Sequence, residues 1–282
     1  MRIKITADST CDLPQEITDR YNITIVPLYI IKNGIAYKDK LEITVNDIFE
    51  YVESGAGMTH SSGINVSDYQ ECFAHYLTQF DALIHISIGG RISACCQSAR
   101  IAAEGMRNVF VVDSNNLSTG SGHIVLDAAI MSTQGISPQE IVSRLELLVP
   151  LVESSFVIGT LKYLHKGGRC SGVAALGANL LKLNPCIEVI DGKMDVGKKY
   201  RGTFEKIILQ YVDDKLKNRD DIDNRRIFVT YPPSVTKPLI DAVIDRINSI
   251  MHFDEIISCE AGCVISNHCG PICLGILFYR KP

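Results

Sequence analysis

The chain has 282 residues, 46% of them hydrophobic and 21% charged, with 28 basic against 32 acidic side chains and a net charge of −4. That balance excludes disordered, collagen-like and coiled-coil chains, and the length predicts two domains. No basic run exceeds two residues, which removes the electrostatic footprint of a nucleic-acid-binding protein, and no apolar stretch reaches the roughly 20 residues needed to span a bilayer. Apolar runs at Ile3 to Thr6, Ile23 to Ile30, Ala82 to Ile88 and Val109 to Val112 predict strands. Between them, Ser67 to Phe80 and Ser93 to Glu104 have helical spacing. Alternation of this kind predicts a mostly parallel sheet covered by helices, with ligands outside the carboxyl ends of its strands.

The texture changes after about residue 155. Ser155 to Thr160 reads as a strand, Lys166 to Arg169 as a loop and Gly172 to Leu183 as a helix. Pro185 to Ile190 and Met194 to Gly197 read as a hairpin turning at Asp191-Gly192. Helices at Phe204 to Leu216 and Val235 to Ser249, and strands at Arg226 to Thr230, Glu255 to Glu260 and Ile272 to Tyr279, complete an α+β half. The expected division is therefore an α/β domain over residues 1–155 and an α+β domain with a mixed sheet over 156–282.

Four polar clusters are candidates for function. Met58 to Gly63 lies between two helical segments, and Gly89-Gly90-Arg91-Ile92-Ser93 joins a strand to a helix. In the second, glycines let the backbone approach an anion, and Ser93 stands where it either caps the helix or helps bind that anion. Lys166 to Ser171 repeats the pattern of a glycine pair, a cation and a serine, but lacks the P-loop spacing of a nucleotide site. Ser266 to Pro271 places His268 beside a turn, where an imidazole is either structural or functional.

Ten cysteines without tryptophan are the unusual entry in the composition. They are too dilute for a disulfide scaffold, and the N-terminal residues lead into a strand with no apolar signal-peptide core, so a reducing cytoplasm is expected. Cys259, Cys263, Cys269 and Cys273 are spaced C-x3-C-x5-C-x3-C around His268, which differs from the knuckle spacing of structural zinc sites. The alternatives are a metal site and small apolar fillers, and the strand predictions favour the second.

Taken in order, these segments resemble the DegV family of bacterial fatty-acid-binding proteins. The resemblance runs through Asp8-Ser9-Thr10-Cys11-Asp12-Leu13-Pro14, Val26-Pro27-Leu28, Tyr37-Lys38-Asp39, Asp113-Ser114, Leu161 to Arg169, Asn184-Pro185 and His268-Cys269-Gly270-Pro271. It implies a two-domain α/β protein holding one long-chain fatty acid, such as palmitate, between its domains. The carboxylate is then presented to a partner kinase, so that the chain is a carrier and not the catalyst, with the lipid as ligand and no metal or other cofactor. Ser61 falls on the threonine whose hydroxyl binds the carboxylate, Ser93 on the second hydroxyl and His268 on the neighbouring histidine, while Arg169 falls on the position associated with kinase docking. Gly63-Ile64 and Gly89-Gly90 depart from the family pattern beside the two hydroxyls. A second reading, from the residues alone, is a serine-dependent acyl hydrolase with Ser93 as nucleophile, His268 as base and Asp113 or Asp8 as orienter, although no G-x-S-x-G elbow is present.

Overall fold

The computed structural model describes residues 1–170 and 183–282. Its first sheet has the order β2-β1-β6-β7, all parallel. These strands are β1 (Ile3–Asp8), β2 (Thr24–Val26), β6 (Ala82–Ser87) and β7 (Val109–Asp113). Side-chain alternation assigns the faces. In β6, Leu83 joins the core under α3 (Val66–Leu77) and α4 (Cys95–Ala102), whereas Ile84 and Ile86 join the core under α5 (Ser118–Thr133) and α6 (Pro138–Leu148). Helices therefore cover both faces, as a parallel sheet requires.

The second sheet is mixed, in the order β10-β9-β8-β13-β11-β12. It contains β8 (Val152–Ile158), β9 (Asn184–Ile190), β10 (Lys193–Tyr200), β11 (Ile222–Tyr231), β12 (Glu255–Glu260) and β13 (Cys273–Arg280). Only β11 and β12 run parallel. One face packs on α8 (Phe204–Leu216) and α9 (Lys237–Ile250), and the other packs on α5. Helix α5 thus lies between the two sheets and is buried along nearly its whole length. This explains its sequence, which apart from His123 and Asp127 is apolar or small all round and has no polar stripe. Residue 155 falls inside β8, and the change from parallel to mixed sheet comes between α6 and β8. The predicted hairpin is present: Asp191 and Gly192 both take positive φ, 48° and 72°, as a type I′ turn demands.

Several expectations are corrected. The run Ile23 to Ile30 is two strands, because Pro27, which cannot donate to a ladder, ends β2 before the chain enters β3 (Tyr29–Lys32). With β4 (Ile35–Lys38) and β5 (His60–Ser62), β3 forms a separate antiparallel sheet in the order β4-β3-β5. Lys166 and Gly167 belong to α7 (Lys162–Gly167), which Gly168 terminates in the left-handed conformation. His268 lies in α10 (Cys263–Cys269) rather than beside an open turn. The helix predicted over Gly172 to Leu183 lies outside the described residues, apart from Leu183. No described helix is long and apolar enough to cross a membrane.

Candidate functional site

Two short elements carry the centre of the site, β5 and α10. Strand β5 pairs antiparallel with β3, so that Ser61 stands opposite Ile30. Helix α10 has no cap from its own sequence. Its first amides are instead satisfied by two carboxylates from distant loops, Gly262 N donating to Asp12 Oδ1 at 2.7 Å and Cys263 N to Asp39 Oδ1 at 2.9 Å. Negative charge there also complements the positive end of the helix. Ser9 and Ser118 hold the other oxygens of Asp39 and Asp12, and Lys40 lies 3.6 Å from Asp12. Burial drives the Asp12 carboxyl up to about 6, against Lys40 and its hydrogen bonds.

Residues 59–61 and the last turn of α10 are bonded twice. Thr59 Oγ1 donates to Asn267 Oδ1, and Ser61 Oγ lies 2.7 Å from His268 Nε2. The imidazole is packed so closely against α7 that a Cβ on Gly167 would fall 2.2 Å from Nδ1. Only glycine allows that approach. Burial, reinforced by the charge of Arg169, lowers the His268 pKa to about 4, so the ring is neutral at pH 7. Because its folded pKa lies below the ordinary histidine value, its contribution to stability is complete above about pH 6.5 and falls between there and about pH 4. An NMR titration of the ligand-free protein should accordingly show no His268 ionisation between pH 5 and pH 8. A midpoint near 6.5 would mean that the ring is open to water.

Ser93 precedes α4 by two residues instead of capping it from the adjacent position, where Ala94 stands. Its Oγ accepts from Cys95 N at 3.2 Å and donates to Cys95 Sγ at 3.2 Å, which leaves it free to turn toward a better acceptor. The chain just beyond Ser61 touches it, since a Cβ on Gly63 would lie 3.7 Å from Ser93 Oγ. Arg169, exposed after α7, is held by Gly167 O at 2.7 Å.

Ser61, Ser93, Arg169 and His268 all line one solvent-open cavity. Apart from Ser62 and Gly63, the rest of its wall among the described residues is apolar and includes Leu28, Ile88, Phe156, Met194 and Val264. A second, narrower cavity adjoins it, and Leu117, Phe156, Ile265 and Cys269 contribute to both walls.

The hydrolase geometry is not assembled. His268 meets Ser61 and not Ser93, and its Nδ1 has no acidic partner among the described residues. Asp113 accepts from Gly90 N and Asn115 N, while Asp8 accepts from Tyr69, Ser87 and Ile88 N. The cysteines likewise do not converge. Cys259 sits beside Thr230, Cys263 Sγ reaches Ile43 O, and only Cys269 and Cys273 are in mutual contact. No group of three or more metal-ligating side chains comes together among the described residues. Sequence reasoning assigned no role to Asp12, Asp39, Thr59 and Asn267, which position α10. Asp12 stands between Cys11 and Leu13 and Asp39 between two lysines, but their partners on α10 lie more than 200 positions away.

A doubly covered parallel sheet, a mixed sheet sharing one central helix with it, and a polar cluster at an apolar cavity define a two-sheet α/β protein. The chain belongs to the DegV family: a family model described as "Uncharacterised protein, DegV family" matches residues 2–281. A DegV domain-containing protein of Clostridium acetobutylicum is 30% identical, with 99% of each chain covered. Among solved structures, one described as fatty acid binding of a DegV family protein from Thermus thermophilus has a TM-score of 0.89 and 30% identity, covering 99% of this chain and all of its own. A stearic acid-binding protein from Eubacterium ventriosum has a TM-score of 0.83 and 25% identity, covering 99% and 98%.

Proposed function

We propose that this chain binds one long-chain fatty acid such as palmitate, with the carboxylate at Ser61, Ser93 and Arg169 and the acyl chain in the adjoining apolar cavities. The observation that carries the reading is that three serines, an imidazole and a guanidinium share one cavity whose other described side chains are apolar. The fatty-acid-binding relatives in Thermus thermophilus and Eubacterium ventriosum support the ligand class. A neutral His268 has one ring proton to place, and an unpaired buried N–H is rarer than an unpaired acceptor. The proton therefore belongs on Nε2, donating to Ser61 Oγ, which turns the Ser61 hydroxyl proton toward the carboxylate. Arg169 supplies the positive charge that the neutral imidazole does not.

The tail dominates affinity. At about 0.8 kcal/mol per buried methylene, some fourteen methylenes supply on the order of 10 kcal/mol, against about 1 kcal/mol for each neutral hydrogen bond. The polar groups thus orient the carboxylate more than they hold the lipid. An oriented carboxylate near solvent, with the exposed Arg169 beside it, suits presentation to a partner kinase that performs the chemistry, and Arg169 then contacts that partner as well as the ligand. Ten cysteines, too dilute for a disulfide scaffold, suit a reducing cytoplasm.

Organic extraction of the purified protein followed by mass spectrometry should recover a long-chain acid, and Ser61→Ala should weaken rebinding about fivefold. Recovery of no acyl chain, together with no binding of added palmitate, would remove the proposal.

A further inference from the structure

We infer that Cys269 is the specificity residue for acyl chain length, forming with Leu117, Phe156 and Ile265 the threshold between the two cavities. This rests on the fatty-acid reading above. The four side chains are common to both walls, so a chain entering from the carboxylate end must pass between them to reach the second cavity. Cys269 is the smallest of the four. It is fixed at the end of α10, one residue beyond His268, so the head-group histidine and the threshold move as one unit.

The distal cavity is built for hydrocarbon. Its serine and threonine hydroxyls are all engaged elsewhere: Ser118 donates to Asp12, Ser266 to Ala261 O, and Thr230 bonds Thr119. Behind the threshold, Cys273 packs its thiol against Cys269, and contact with Cys269 together with burial keeps that thiol protonated. Cysteine at both positions gives a small apolar surface where leucine or phenylalanine would fill the passage.

The test compares binding of palmitate and octanoate to the full-length wild type, Cys269→Phe and Cys273→Leu. Cys273 lines the distal cavity and not the first, so its enlargement fills the space from behind the threshold. Each methylene kept out of the apolar chamber weakens binding about fourfold. The wild type should prefer palmitate by at least a hundredfold, and that ratio should fall at least tenfold in both variants. A merely structural role would change affinity for the two acids in parallel. An unchanged ratio in either folded variant, with wild-type binding intact, overturns the threshold alone. Failure of the wild type to bind either acid overturns the fatty-acid reading and this inference together.

Discussion

Asp8→Ala should destabilise the protein by about 3–5 kcal/mol, because three buried donors lose their acceptor and His85 its neighbouring carboxylate at once. Asp8 closes β1, and its carboxylate takes the Tyr69 hydroxyl at 2.5 Å, the Ser87 hydroxyl at 2.7 Å and Ile88 N at 2.8 Å, with His85 Nε2 3.2 Å away. Tyr69 comes from α3, and the other three belong to β6 or the residue after it. The group therefore fastens a covering helix to the sheet at the end where the Gly89 to Ser93 loop departs. Burial alone would raise this carboxyl, but the hydrogen bond and charge of His85, with hydrogen bonds from Tyr69 and Ser87, hold its pKa below the ordinary value. A depressed folded pKa means that the stabilisation is complete above about pH 4 and is lost as the pH falls further, through the folded value. Asp12 acts with the opposite sign, since its raised pKa lowers stability as the pH climbs from about 4 to about 6. Urea titrations of wild type and Asp8→Ala at pH 7 should show the full loss, with the gap narrowing below pH 4. A loss under 1 kcal/mol at pH 7 would mean that the network carries no weight.

Strands β1, β6 and β7 of the parallel sheet were legible because each is an apolar run of strand length, whereas the short β2 was merged with β3 across Pro27. The hairpin at Asp191-Gly192 was legible for a local reason, the turn chemistry itself. Asn33-Gly34 carries the same signal and makes the β3–β4 hairpin, with φ of 52° and 75°. Each strand has only four residues and β4 is mostly exposed, so no apolar alternation points to the pair. Helix α10 was hidden for a different reason. Seven residues give barely two turns, and the groups that cap it, Asp12 and Asp39, are supplied by the other end of the chain. Ser61 and His268 could be singled out by resemblance and by residue type. That they lie 2.7 Å apart depends on a contact spanning 207 positions, which no local pattern encodes.

The same long-range logic joins the two sheets, and the second large effect is expected there. Arg226 on β11 and Asp127 on α5 are each about 7% exposed and pair at 3.1 Å, with Glu255 on the guanidinium's outer side at 3.2 Å. Helix α5 begins at Ser118, beside Leu117, and both residues line the distal cavity, so this pair anchors the helix that shapes the proposed tail site. Arg226→Met should cost about 3–5 kcal/mol, because the Asp127 carboxylate is left charged and unpaired between two cores. Removing both charges should be far milder, since desolvating the pair offsets most of its attraction. The double variant Asp127→Leu/Arg226→Met should therefore recover at least half of the single-variant loss. Chemical denaturation of the four proteins in the cycle measures this directly. If the two losses simply add, the pair is not coupled, and the anchoring of α5 rests on its apolar packing alone.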